Sequence, residues 1–177
     1  MDPIQELSKE HRAVEQSLEI FERIVLRTEK GEALEAEDLE QLMDFFQVFV
    51  DTCHHGKEEE LLFPAIEALG VSGEGGLIEV LRNEHEEGRR LVGQMRRELA
   101  EEGTGEAFRA HAQRYLKMLR DHIRKEDLNL FDFAAARLSE SRKKALAAGF
   151  EKIEAERVGP GKHQEFHQML EELDRRY

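Results

Sequence analysis

His54-His55-Gly56-Lys57-Glu58-Glu59-Glu60-Leu61-Leu62-Phe63 has a second copy further along the chain, His122-Ile123-Arg124-Lys125-Glu126-Asp127-Leu128-Asn129-Leu130-Phe131. The stretches agree at the histidine, at the lysine three residues on, the glutamate four on, an acid five on, and the leucine and phenylalanine eight and nine on. Each lies within apolar residues spaced mainly three and four apart, the period of an amphipathic helix. Around the first copy these are Leu39, Met43, Phe46, Val50, His54, Leu61 and Ala65. Around the second they are Phe108, His111, Tyr115, Leu119, His122, Glu126, Leu130 and Phe133. Histidine therefore takes places that the period assigns to a core.

Two further helices complete the pattern. The first carries Ile4, Leu7, His11, Val14, Leu18, Phe21 and Val25, with Asp2 as its cap, Pro3 in its first turn and Gly31 beyond its end. The third carries Leu77, Leu81, His85, Gly88, Val92, Met95 and Leu99. Lys9-Glu10-His11 matches Asn83-Glu84-His85 more loosely. The second helix is expected from Ala36–Asp38 to about Leu69, with a kink where Pro64 removes an amide. Gly70–Gly76 reads as a loop, Gly103-Thr104-Gly105 as a break, and the fourth helix fades near Arg137. The expectation is an all-α, up-down-up-down four-helix bundle over residues 1–138. A helical extension over 139–177 is expected to pack on it. Ser139 starts one short helix with Leu146 and Phe150, Gly159-Pro160-Gly161 stops it, and Phe166, Met169, Leu170 and Leu173 mark the last.

Composition narrows the function. A net charge of −13 over 177 residues disfavours phosphate backbones and anionic lipid, so neither a nucleic acid nor a membrane is expected as partner. The single cysteine, Cys53, builds no internal disulfide, and no secretory signal or spanning segment is read, so a cytoplasmic location is expected. Phosphate-binding glycine loops, the His-Glu-x-x-His motif and a serine nucleophile elbow are absent.

One histidine followed four residues later by glutamate means little, since eight histidines in this glutamate-rich chain give about one such pair by chance. Two of the five pairs present are singled out by position on the apolar seams: His54 with Glu58, and His122 with Glu126. The shifted pair His55 and Glu59 falls about 100° off the seam of an α-helix. Its counterpart to His55 is Ile123, so it is set aside. Residues four apart share a face and can reach one ion or two adjacent ions. His11, His54, His85 and His122, one per helix, can converge with both glutamates. Burying that set is costly unless it is paired or metal-bound. Imidazole and carboxylate together favour iron, manganese or zinc over magnesium or calcium. Ferritin-like sites use Glu-x-x-His, and no histidine here has a glutamate three residues before it.

The order H…HxxxE…H…HxxxE, with the run Glu59-Glu60-Leu61-Leu62-Phe63-Pro64, resembles the hemerythrin-like (HHE cation-binding) family over roughly residues 3–137. The resemblance implies a non-haem di-iron site in a four-helix bundle, with metal ligands His11, His54, Glu58, His85, His122 and Glu126, the two glutamates bridging. Oxygen-carrying members have a further histidine one turn after the first in helix three; here Arg89 stands there. They also pair His with Asp at the last motif, where this chain has HxxxE. One ligand fewer implies an open position that binds or senses O2, NO or peroxide. The other readings are a metal-dependent oxidoreductase handling peroxide or NO, or a non-catalytic iron-binding, storage or interaction module.

By the internal repeat Arg89 corresponds to Glu15; the two either pair near the site or both face solvent. His111 is eleven residues before His122, about 16 Å along the helix, and reads as a satisfied histidine at the bundle end. His163 and His167 form a surface metal site, fold over the bundle mouth with Glu154, or are solvated. Tyr115, Phe45, Phe46, Phe49 and Cys53 read as core.

Overall fold

The computed structural model describes residues 2–70 and 76–177 and contains, among them, six helices and no strand. They are α1 (Pro3–Glu29), α2 (36–67), α3 (Leu77–Glu101), α4 (106–137), α5 (140–158) and α6 (Lys162–Arg176). No helix among the described residues is long and apolar enough to cross a membrane. Residues 71–75 of the expected loop lie outside the described residues.

The helix ends follow from local chemistry. Asp2 accepts from the amides of Ile4 at 2.9 Å and Gln5 at 3.3 Å, with Pro3 in the first turn of α1. The Ser139 hydroxyl accepts from the Arg142 amide and starts α5. Helices α3 and α4 pair along their lengths, α1 lies against α4, and α2 meets α3 and α5. The two C-terminal helices rest on α1 and α2. Asp38 accepts from Arg176 Nη1 at 2.5 Å and from the Tyr177 hydroxyl at 2.7 Å, which ties the end of the chain to the start of α2.

The core is split into two apolar blocks. One contains Leu18, Phe21, Phe46, Met95, Phe108 and Tyr115. The other contains Ile4, Leu7, Leu62, Phe63, Leu81, Phe131 and Phe150. Between them lies a buried polar layer of His11, His54, His55, Lys57, Glu58, His85, His122 and Glu126.

Helix α2 departs from the expected α-helical register. Residues Phe45–His55 and Glu58–Leu62 form π-helix, in which each amide bonds five residues back. The amide of Gly56 reaches the Asp51 carbonyl, and that of Phe63 reaches Glu58. Wider turns rotate each residue by less than the α-helical 100°, so the buried face drifts along the sequence. Leu62 and Phe63 are consequently fully buried while Leu61, on the expected seam, is only half-buried. Pro64 follows the second wide turn, and the helix continues through it. Helix α4 makes the same change at Glu126–Phe131, within the second copy of the repeat.

Candidate metal centre

The structure brings together His11, His54, Glu58, His85, His122 and Glu126, and adds a residue that the sequence reading had set aside. Two groups have ligand atoms all within 4.8 Å of one another: His11, His54, Glu58 and Glu126, and His55, Glu58, His85 and His122. Glu58 belongs to both.

His55, set aside on the α-helical register, thus lies beside the other donors. An α-helical register turns it about 100° from His54. The π-helix through Phe45–His55 narrows that angle without closing it, and both adjacent rings are buried. The His55 ring stacks on His85, with centroids 3.7 Å apart and an angle of 13°.

Each of the other four histidines is held the same way. A carboxylate only accepts, so Nδ1 carries the proton wherever it contacts one. Nδ1 of His11 donates to Asp127 at 2.7 Å, that of His54 to Glu10 at 2.8 Å, that of His85 to Glu59 at 2.7 Å, and that of His122 to Glu84 at 2.9 Å. All four Nε2 atoms then face the glutamates. His54 and His85 lie 3.6 and 3.4 Å from Glu58, while His11 and His122 each lie 3.2 Å from Glu126. Such outer carboxylates fix the tautomer and raise the basicity of a ligating imidazole.

These outer residues were visible in the repeat but had no role assigned to them. The acid five residues after each motif histidine, Glu59 or Asp127, holds the histidine of α3 or α1. The glutamate before each of those histidines, Glu10 or Glu84, holds the motif histidine in turn. The lysine three on, Lys57 or Lys125, donates to that same Glu10 or Glu84. The phenylalanine nine on stacks on the opposite ring: Phe63 on His85 at 5.7 Å, and Phe131 on His11 at 5.0 Å.

Charge follows this wiring. Burial and the neighbouring Glu126 push the Glu58 carboxyl well above the usual range. Burial opposes ionisation of Glu126 as well, but His122 and His11 overcome it and hold that carboxyl down. Burial also works against Glu10, and His54 with Lys57 outweighs it, bringing the carboxyl to about 2. His122 is raised to about 9, against its burial, by Glu126 and Glu84. His85 is lowered to about 4, chiefly by burial and despite Glu59. Burial and the His85 and His122 rings push His55 well below its usual value.

Arg89 and Glu15 do not pair with each other, and both side chains are partly open to solvent, as the second expectation had it. Arg89 Nε donates to Asp51 at 2.7 Å and its Nη2 donates to Glu59, while Glu15 pairs with Arg12 on its own helix at 2.6 Å. Arg89 thus steadies the carboxylate that orients His85. His111 pairs with Glu98 at 2.8 Å. His163 folds onto Glu154 at 3.0 Å and lies 3.7 Å from Cys53, outside both ligand groups. Cys53 is buried, and burial pushes its thiol up to about 12.

A cation fits this donor set. Nε2 of His11 and His54, both ring nitrogens of His55, and both oxygens of Glu58 and of Glu126 are buried without a hydrogen-bond partner among the described residues. Orphaned groups of that number cost several kcal/mol unless something else binds them. Imidazole nitrogen with carboxylate oxygen suits iron, manganese or zinc. The family described as "Hemerythrin HHE cation binding domain" matches residues 2–134. No curated protein and no solved structure matches the chain.

Proposed function

The chain belongs to the hemerythrin HHE cation-binding domain family, and from that premise we propose a non-haem di-iron protein that binds or senses O2, NO or peroxide. In this reading α1 to α4 form an up-down-up-down bundle over residues 1–138, with 139–177 as its helical extension, in a cytoplasmic protein. His11, His54, Glu58 and Glu126 would hold one iron, and His55, Glu58, His85 and His122 would hold the other. Membership of Glu58 in both groups carries the proposal, because a carboxylate with one oxygen facing each group is the natural bridge between two cations. Ferrous iron would supply electrons to a diatomic or a peroxide.

The chain's own residues do the rest. His55 occupies the role left by Arg89, so the histidine count is five although helix α3 supplies only one. The outer carboxylates Glu10, Glu59, Glu84 and Asp127 hold the rings in one tautomer. The flanking apolar blocks exclude water, which strengthens each charge interaction inside.

Metal content and the optical spectrum test this on protein purified without oxygen and then exposed to air. About two irons per chain are expected from the two ligand groups, with a near-ultraviolet band growing on exposure. Glu58→Ala should retain at most one. Zinc only, no metal after ferrous reconstitution, or two irons kept by Glu58→Ala would overturn the reading.

A further inference from the structure

A cavity of about 260 Å³ lies between α2 and α3 against the outer side of His55. Its buried walls are Phe46, Val50, Val92 and Tyr115. Taking about 30 Å³ as the liquid volume of one water, it has room for on the order of nine non-hydrogen atoms. A diatomic gas needs far less.

Two observations show that this space is built. Gly88 and Gly93 sit in the interior of α3, where glycine weakens a helix, and both line the cavity. A Cβ added at Gly93 would meet nothing within 4 Å, and one at Gly88 would only touch Met118 at 3.4 Å and Tyr115 at 3.8 Å. A side chain would fit at both positions, and both glycines line the cavity. At its inner end His55 is buried, and neither ring nitrogen has a hydrogen-bond partner among the described residues.

The charged rim side chains are largely engaged with carboxylate partners, although Arg96 Nε is buried without a hydrogen-bond partner among the described residues. Arg89 is bound by Asp51 and Glu59, and Arg96 by Asp44. A neutral molecule with an apolar body and one polar head is what the walls accommodate. Resting on the function proposed above, we propose that this pocket admits an organic hydroperoxide, or the alcohol derived from it. The body lies between Phe46, Val92 and Tyr115, and the oxygen head lies at His55. Arg89, bridging α2 and α3 through Asp51, closes the rim above the head.

The probe is 2-methyl-2-propanol, a redox-inert alcohol of the proposed class small enough for the cavity, titrated into metal-free and iron-loaded protein by NMR. Saturable shifts at Gly88, Gly93 and Tyr115 are expected in both. Gly93→Leu should weaken binding by about tenfold or more, and Gly93→Ala should weaken it less, with iron content unchanged in each. No saturable binding, equal binding by Gly93→Leu, or admission of xenon but not the alcohol would overturn the proposal and leave only a gas passage. Iron uptake without alcohol binding removes this pocket alone. Alcohol binding by a chain that takes no iron removes the di-iron reading alone.

Discussion

Lys57→Met removes an ammonium that is fully enclosed and leaves a side chain of similar length. The Lys57 Nζ donates to Glu6 at 2.8 Å and Glu10 at 2.5 Å, and lies 3.6 Å from Glu154. Glu6 and Glu154 are partly exposed and can turn to water, whereas Glu10 is buried and cannot. The Glu10 carboxyl sits at about 2 rather than 4.5, against its burial, through His54 and Lys57. That displacement corresponds to about 3 kcal/mol at neutral pH. Breaking a buried ion pair from one side costs about 3–5 kcal/mol. Because His54 retains its share of Glu10, the expected loss for Lys57→Met is about 2–3 kcal/mol.

The pH dependence has a definite sign. A carboxyl depressed in the folded state stabilises above its unfolded value, here 4.5, and loses that contribution as pH falls toward about 2. The gap between wild type and Lys57→Met should therefore be widest near neutrality and shrink in acid. Urea unfolding of metal-free protein measures it, with Lys125→Met as the comparison. Lys125 makes the matching contact to Glu84 but is 35% exposed, so its replacement should cost less than about 1 kcal/mol. Equal losses for the two lysines, or a Lys57→Met gap that does not change with pH, would refute the reasoning.

His55→Leu should lower the affinity for one of the proposed cations by more than the about 10–100-fold typical of losing an outer partner. Metal content after dialysis would then approach one per chain, and an unchanged content would remove His55 from the ligand set. His122, raised to about 9, stabilises metal-free protein fully below 6.5 and loses that contribution as pH rises through about 9. Unfolding at pH 7 and 9.5 should show this loss in metal-free protein and not in loaded protein, whose His122 has given up its proton. Asp38→Ala removes the buried acceptor of Arg176 and Tyr177, and should cost about 1.5–3 kcal/mol and open α6 to limited proteolysis. Resistance equal to wild type would show that α6 is held by its apolar face alone.

The long helices were legible because their apolar residues keep a helical period and their ends carry Asp2, Pro3 and Ser139. Six of the clustered residues were legible because a polar side chain on an apolar seam stands out. His55 was not, and the reason is specific. Its place was judged with the α-helical rotation, and nothing in one sequence announces that Phe45–His55 widens to five-residue hydrogen bonding. The paired letters His54-His55 were the available signal, since adjacent residues of a helix can both be buried, as Ile20 and Phe21 are in α1. The outer carboxylates were hidden differently. Glu10, Glu59, Glu84 and Asp127 each serve a histidine on another helix, and the period of their own helix does not reveal such a contact.

The repeat gives both halves the same wiring, yet only one half is covered. Over Lys57 lie Phe150, 5.5 Å away, and Glu154, both from α5, while Lys125 is partly open to water. On the proposed two-cation reading this asymmetry acts on kinetics. The cation of His55, His85 and His122 lies beneath the uncovered lysine and beside the α2–α3 cavity, so a chelator reaches it first. The cation of His11 and His54 leaves later, behind α5. Timed chelation would then yield a half-loaded protein, and refilling it with a different metal would give an ordered heterometallic pair whose two positions can be distinguished spectroscopically.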